Sequence, residues 1–329
     1  MINLEPAPEV LKLRGAHVLR VATRPPAPEP TLTDRRSEFF SAAALEGMPV
    51  PPREWLVQDL VPQGTVTLLS GDGGTGKSLL ALQLAVAVAA QTPWIGRATG
   101  HGRVIYLSAE DDKDELHRRL DAILTVEGRG FDDISDLTLR SLAGEDALLA
   151  TETARSLVPS ALFEELDAQA AEEAPALLVV DTLADAYPAN ENDRAKVRQF
   201  IGILRGLAIR RRCAVLLLAH PSLTCLRSGT GSSGSTAWNN SVRSRLYLSR
   251  VVQDGYEPDA DARVLTCKKA NYATTGGEIA LRWTSGVFAA EAQPSRLDAL
   301  AAGARAERVF LDLLRIYEDQ GRRVNTNGG

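Results

Sequence analysis

Residues 71–78 read GDGGTGKS, and they follow directly on the apolar run GTVTLLS at residues 64–70. This octapeptide fits the pattern G-x-x-x-x-G-K-[ST], in which glycines let successive backbone N–H groups curve around phosphate oxygens. The run before it predicts a buried strand. The stretch SLLALQLAVAVAA at residues 78–90 predicts a buried helix, whose positive end faces the same phosphates. The sequence therefore predicts a nucleoside triphosphate site rather than a chance glycine-rich turn.

The residues of this loop share the task of holding the triphosphate. Lys77 is expected to reach the β- and γ-phosphates, and the Ser78 hydroxyl is expected to bind Mg²⁺. The nucleotide contacts are expected from the whole loop, which consists of Gly71, Asp72, Gly73, Gly74, Thr75, Gly76, Lys77 and Ser78.

Two acidic residues end strand-like runs. Asp181 follows PALLVV, and we predict that it is the second Mg²⁺-side group, acting through water. Glu110 follows GRVIYLSA, and we predict that it orients or activates the water that attacks the γ-phosphate. The carboxyl ends of parallel strands face the ligand crevice, which places both acids near the phosphates. For each acid the alternative is a helix cap.

Two further polar positions belong to the same crevice edge. His220 ends the run CAVLLLAH and is expected to hydrogen-bond the γ-phosphate and to sense its loss, with a purely structural histidine as the alternative. Asp111 and Asp112 are expected to cap the helix that begins after them.

Strand-like and helical runs alternate from about residue 55, which predicts an α/β fold with a mainly parallel sheet flanked by helices. The runs SRLYLSRVV, ARVLTCKKA and EIALRWTSGVF follow one another without helices, and they predict antiparallel strands at one edge. We divide the chain into a flexible, proline-containing leader at residues 1–52, an ATPase core at 53–290 and a C-terminal helix at 291–329, which is interpreted as the start of a truncated small domain.

Composition limits the partners. The net charge of the 329 residues is −5, so any contact with nucleic acid must come from a local basic patch or from a ring of such patches. The N-terminus lacks the layout of a secretion signal, and the longest apolar stretch is too short to span a bilayer. The three cysteines show no metal-ligand spacing. We therefore expect a cytoplasmic protein with reduced thiols and no membrane partner.

The order of these parts resembles the RecA/DnaB-type ATPase core, and most closely the plasmid RepA-like hexameric replicative helicases with their phage and integrated-element relatives. The resemblance extends over about residues 53–288 and rests on GDGGTGKS, YLSAEDDKDELHRRL, LLVVDTLADAY, AHPS, GTGSSGSTAWNNSVRSRLYL and KKANYATTGGEIALRW. Many NTPases share the phosphate loop, whereas the combination of the glutamate, HPS and GSTAWNNSVRSRLYL is narrower.

The resemblance implies a RecA-like core that binds ATP with Mg²⁺ between the subunits of a homo-oligomer, a hexameric ring. Each site would then receive an arginine from the neighbouring subunit. Arg243 falls on the matching position, and Arg245 is the second candidate. Lys268 matches a lysine of the DnaB-like relatives, but Ala270 stands where those relatives carry an arginine. The alternative for both arginines is ordinary ion pairing at a sheet edge.

The resemblance also implies contact with single-stranded DNA through two segments. YPANENDR follows Asp181, and SLTCLRSGTGSSGS, which contains Arg227, follows His220. Backbone N–H groups, hydroxyls and Arg227 would bind the phosphate backbone without reading sequence. The alternative for the second segment is a plain flexible linker.

Together these features predict an ATP hydrolase that is the core of a ring-forming DNA helicase, coupling Mg²⁺-ATP hydrolysis to movement along single-stranded DNA in replication. One alternative is a RecA-, KaiC- or RadA-like DNA-binding ATPase switch that does not unwind DNA. A second is a P-loop kinase acting on a small molecule.

Overall fold

The computed structural model describes residues 40–220, 236–253, 255–291 and 296–321. Most of the predicted leader and the segment 221–235 that contains Arg227 lie outside the described residues. Residues 40–54 are exposed and contain one 3-10 turn, Ala42–Leu45. The division of the chain into leader, core and C-terminal region stays a prediction.

The described strands are β1 Trp55–Val57, β2 Val61–Pro62, β3 Val66–Gly71, β4 Val104–Ser108, β5 Leu137–Ser141, β6 Ala150–Glu152, β7 Leu157–Pro159, β8 Leu177–Asp181, β9 Ala214–Ala219, β10 Ser244–Arg250, β11 Ala262–Ala270, β12 Glu278–Thr284 and β13 Val287–Ala290. Nine of them form a central sheet in the order β13-β12-β11-β10-β3-β9-β8-β4-β5. Two small hairpins, β1–β2 and β6–β7, lie outside it.

Seven α-helices are described beside these strands. They are α1 Lys77–Ala89, α2 Lys113–Glu127, α3 Ala161–Glu173, α4 Leu183–Ala186, α5 Arg194–Arg211, α6 Thr236–Ser241 and α7 Arg296–Asp319. Helices α1 and α2 pack on one face of the sheet, and α3 to α6 pack on the other. No described helix is long and apolar enough to cross a membrane.

The continuous apolar runs are explained by burial on both faces. In β8, Leu177 and Val179 join the apolar cluster that contains α1, whereas Leu178 and Val180 join the cluster that contains α5. A strand covered on both faces has no solvent side, so its sequence does not alternate. The predicted α/β architecture is confirmed.

The predicted antiparallel strands at one edge are confirmed. SRLYLSRVV forms β10, which pairs antiparallel with β11, and β11, β12 and β13 continue as antiparallel neighbours. On its other side β10 pairs in parallel with β3. The strand β10 therefore joins the antiparallel edge to the parallel strands.

Candidate nucleotide-binding site

The loop GDGGTGKS joins β3 in the middle of the sheet to α1. Gly76 has a φ of +93°, and a β-carbon at this position would lie 2.6 Å from the ring of Phe288. Both the backbone conformation and the available space therefore require glycine. The strand, loop and helix have the order that the motif predicted.

Three elements at the antiparallel side of the sheet hold this loop. The Tyr247 hydroxyl on β10 donates to Asp72 Oδ1 at 3.2 Å, and Arg263 Nε on β11 donates to the Thr75 carbonyl at 3.3 Å. On α1, the Gln83 side chain donates to the Phe288 carbonyl at 3.0 Å and accepts from its N–H at 2.9 Å. These contacts fix the loop against β10, β11 and β13.

Lys77 is buried and points back into its own loop. Its Nζ donates to the carbonyls of Gly71 at 2.8 Å and Asp72 at 3.0 Å, and lies 3.4 Å from His220 Nδ1. Burial lowers the pKa of the Lys77 ammonium, and the Glu110 carboxylate gives the largest opposing effect. The ammonium is thus held where an oxygen-rich ligand would stabilise it.

His220 connects Lys77 to Glu110. Its Nε2 lies 3.3 Å from Glu110 Oε1, and both side chains are partly exposed, at 41% and 45%. An ammonium can only donate, so Nδ1 must accept from Lys77 and Nε2 must carry the hydrogen that faces Glu110. Glu110 comes just after β4 and lies open to solvent, as a residue that orients water needs to be.

Asp181 ends β8 and is 1% exposed. Its Oδ2 accepts a hydrogen bond from the Tyr106 hydroxyl at 2.8 Å, whereas no described group hydrogen-bonds its buried Oδ1. Burial raises the pKa of the Asp181 carboxyl to about 6, and the Tyr106 hydroxyl, followed by the Ser78 hydroxyl, opposes this rise. A buried carboxylate oxygen without a partner needs a cation or a donor.

These residues fit a magnesium ion. The free Oδ1 of Asp181 is the kind of ligand that Mg²⁺ takes, and the Tyr106 hydroxyl also lies 3.3 Å from the carbonyl of Ser78, the other predicted ligand. The described residues contain no group of three acidic, histidine or cysteine side chains that would bind a metal alone. Mg²⁺ usually completes its shell with water and substrate phosphates, so a two-residue site beside the loop is sufficient.

The two aspartates after Glu110 have different roles. Asp112 Oδ1 accepts from the Glu115 N–H at 2.8 Å and caps α2, as predicted. Asp111 does not cap the helix, and its carboxylate instead pairs with Arg119 at 2.6 Å. The expectation for Asp111 is therefore wrong, because a cation on the next helical turn is within its reach.

The structure brings Lys77, Ser78, Glu110, Asp181 and His220 to one crevice, but not Arg243 or Lys268. Ser244 on β10 pairs with Thr67, four residues before Gly71, and Arg243 precedes Ser244, so Arg243 begins roughly 16 Å along the sheet from its own phosphate loop.

The two arginine candidates differ in access. Arg243 is partly buried, and its Nε has no hydrogen-bond partner among the described residues. Arg245 is 4% exposed, and its Nε lies 3.4 Å from Ser70 Oγ. A side chain buried within its own subunit cannot reach a neighbour, so the structure argues against Arg245 as an arginine finger. Lys268 is exposed, with its Nζ 5.8 Å from the centre of the Tyr247 ring.

Sequence reasoning missed an aromatic groove of about 220 Å³ beside the phosphate loop. Trp283 and Phe288 lie opposite each other on the β12–β13 hairpin, and both line the groove together with Leu79 and Arg263. Trp283 is partly exposed and offers a flat face on which a planar ring can stack. The sequence does show an aromatic residue in each of the two runs that form β12 and β13. Only the pairing of these two strands, however, reveals that both aromatic residues lie beside the phosphate loop.

Sequence reasoning also missed Tyr106, which is completely buried in β4. Burial raises the pKa of its hydroxyl well above the ordinary value, so the hydroxyl stays protonated and donates to Asp181. A tyrosine inside an otherwise apolar strand usually has a polar partner, which was the signal in VIYLS.

The fold and this crevice define a P-loop ATPase. The family AAA_25, described as an AAA domain, matches residues 30–223, more than half of the chain. The protein therefore belongs to this AAA-domain family. Its structure is also similar to the crystal structure of the RadB recombinase, with a TM-score of 0.49 and 17% identity over 71% of this chain and 93% of that chain.

The pKa of Asp181 leads to a stability prediction. Its folded pKa of about 6 lies above the ordinary 3.8, so the ionised carboxylate destabilises the fold, and the cost grows as pH rises from about 4 to about 6. Without Mg²⁺, Asp181→Asn should therefore raise the free energy of unfolding at pH 8 by up to about 3 kcal/mol. At pH 4 most of this gain should be absent. Urea denaturation at both pH values measures it.

Asp121→Asn, at an exposed position of α2, is the matched control and should change stability little at either pH. Equal stability of wild type and Asp181→Asn at pH 8 would contradict the assignment of a buried, costly carboxylate.

Proposed function

We propose that this ATPase is the motor of a ring-forming DNA helicase, which uses Mg²⁺-ATP hydrolysis to move along single-stranded DNA. The observation that carries the proposal is the chain of contacts from Lys77 through His220 to Glu110. His220 directly precedes the segment 221–235, which the sequence predicts to bind DNA. One histidine thus touches the phosphate-binding lysine and the predicted catalytic acid, and adjoins the predicted DNA segment along the chain.

The crevice residues divide the chemistry of hydrolysis. The loop backbone would bind the β- and γ-phosphates, and Lys77 would exchange its two loop carbonyls for phosphate oxygens. Glu110 would orient the attacking water through its exposed carboxylate. Ser78 and Asp181 would hold Mg²⁺, which supplies charge neutralisation on the phosphates.

Lys77→Ala and Glu110→Gln should separate binding from hydrolysis. Removing the ammonium should weaken ATP binding roughly 100-fold, because charge-assisted hydrogen bonds to phosphate are lost. Glu110→Gln should keep wild-type affinity and lose roughly 10²- to 10⁴-fold in kcat. Binding is measured with a fluorescent ATP analogue, and hydrolysis by phosphate release. Equal loss of ATP affinity in both variants would contradict the proposed role of Glu110 in orienting the attacking water.

The other predicted DNA segment, YPANENDR at residues 187–194, begins in the described core. Burial raises the pKa of Glu191 in this segment. Tyr187, which begins the segment, packs edge-on against Trp238 in α6, with ring centres 5.1 Å apart. Trp238 follows the segment 221–235 in the chain. The start of YPANENDR and the helix that follows the segment 221–235 therefore pack together in one apolar core.

DNA stimulation is the direct test of the motor. Wild-type protein should hydrolyse ATP faster when single-stranded DNA is added, and His220→Ala should still bind ATP but lose this stimulation, because the link between phosphate and DNA segment is cut. A strand-displacement assay and mass measurement in Mg²⁺-ATP complete the test. Hydrolysis that ignores DNA in a ring would favour the non-unwinding switch, and phosphate transfer to a metabolite would favour a kinase.

Arg243 supports a site shared between subunits. It lies at the amino end of β10, whereas its own phosphate loop lies at the carboxyl end of β3. An arginine at that end cannot complete its own site, but it can complete the site of a neighbour in a head-to-tail ring. Lys268 and Lys269 on β11 lie near the same end and add positive charge to this surface.

A mixing experiment tests this arrangement. Arg243→Ala should bind ATP and form rings but lose roughly 10³-fold in kcat, as expected for an arginine finger. Mixing it with Lys77→Ala before ATP is added should restore part of the activity, because an intact loop then meets an intact arginine. Lys268→Ala serves as a comparison at the same surface. If subunits are shown to exchange and the mixture stays inactive, Arg243 does not act in trans.

A further inference from the structure

We infer that Tyr106 is a positioning residue that holds the metal-binding carboxylate of Asp181 from the buried side of the crevice. Its hydroxyl donates to Asp181 Oδ2 at 2.8 Å and lies 3.3 Å from the Ser78 carbonyl. One buried hydroxyl therefore contacts both residues that are proposed to hold Mg²⁺. The inference rests on the proposed Mg²⁺-ATP site and names a further residue that this site depends on.

The register of the sheet explains how the contact forms. β4 and β8 are parallel neighbours, with Tyr106 opposite Val179 and Ser108 opposite Asp181. The backbone of Tyr106 therefore lies two residues, roughly 6.6 Å, before that of Asp181 along the strand direction. The tyrosine ring spans this distance under α1, and its hydroxyl meets Asp181 from below. A shorter side chain at this position would not reach.

The two carboxylate oxygens of Asp181 differ in their hydrogen bonding. Oδ2 accepts from Tyr106, and Oδ1 is buried without a partner among the described residues. The hydrogen bond to Oδ2 restricts rotation of the carboxylate. The Oδ1 atom is therefore kept in one orientation. Hydrogen bonds of this kind orient metal ligands, and their removal typically costs roughly 10- to 100-fold in metal affinity or activity.

Packing alone does not require the hydroxyl. Tyr106 is 1% exposed and belongs to the apolar cluster under α1, where the ring of phenylalanine would fill the same volume. A buried hydroxyl must find a partner to offset its lost hydration. Here the partner is a carboxylate at the crevice, which places the polar end of Tyr106 at the site and its ring in the core.

Tyr106→Phe is the test, with Tyr272→Phe as the matched control. Tyr272 follows β11, and its ring packs against the Arg53 guanidinium at 3.6 Å rather than against a predicted ligand. The readouts are binding of a fluorescent ATP analogue in EDTA and along a Mg²⁺ titration, the Mg²⁺ concentration that half-saturates hydrolysis, and the melting temperature.

Tyr106→Phe should raise the half-saturating Mg²⁺ concentration roughly tenfold and leave nucleotide affinity in EDTA unchanged. Tyr272→Phe should change neither. In the Asp181→Asn background, Tyr106→Phe should add no further Mg²⁺ defect, since the group it positions is gone. Tyr106→Met takes its place in the same assay if the phenylalanine variant does not fold.

Three results would overturn the inference, and they are distinguishable. A wild type whose nucleotide binding ignores Mg²⁺ would overturn the proposed site and this role with it. A wild type that responds to Mg²⁺, together with a folded Tyr106→Phe that responds identically, would overturn the role of Tyr106 alone. An equal Mg²⁺ defect in Tyr272→Phe would likewise reduce Tyr106 to a core residue.

Discussion

A buried ammonium and a buried carboxylate face one crevice without a direct bond between them, and this constraint organises the site. Lys77 is held by the carbonyls of its own loop, and Asp181 is held by Tyr106. Neither charge is fully compensated by the other, since burial lowers the pKa of the lysine and raises that of the aspartate. Such an arrangement costs stability, and a ligand that carries both phosphate and a divalent cation would relieve both costs together.

The antiparallel edge explains why the phosphate loop keeps its shape. The hydrogen bonds from Tyr247 and Arg263, and the wedge of the Phe288 ring against Gly76, all come from β10, β11 and β13. Gln83 closes the arrangement by tying α1 to the backbone of Phe288. The last strands of the sheet therefore support a site formed mainly by the first ones, and they line the aromatic groove beside it.

The two ends of the sheet carry different groups. The carboxyl ends of β3, β4, β8 and β9 carry the phosphate loop, Glu110, Asp181 and His220, as expected where parallel strands end at a crevice. The amino end of β10 carries Arg243, with Lys268 and Lys269 nearby on β11. A site that lies at one end and an arginine at the other match the requirements of a head-to-tail assembly, in which two different surfaces meet.

The sequence by itself determined the parts whose cause is local. GDGGTGKS fixed the strand, loop and helix through glycine geometry and burial, and the apolar runs indicated strands covered on both faces. The positions of Glu110, Asp181 and His220 at strand ends also followed from the pattern, because parallel strands place their carboxyl ends together. Asp112 caps α2 through a contact only three residues away, which a sequence can reveal.

Tertiary structure alone decided the parts that depend on pairing between distant segments. The parallel register of β10 with β3 places Arg243 away from its own loop and buries Arg245 beside Ser70. The contact of Tyr106 with Asp181 joins residues 75 positions apart, and that of Gln83 with Phe288 joins residues 205 apart. No local pattern encodes such contacts, since they arise from the register and layering of the sheet.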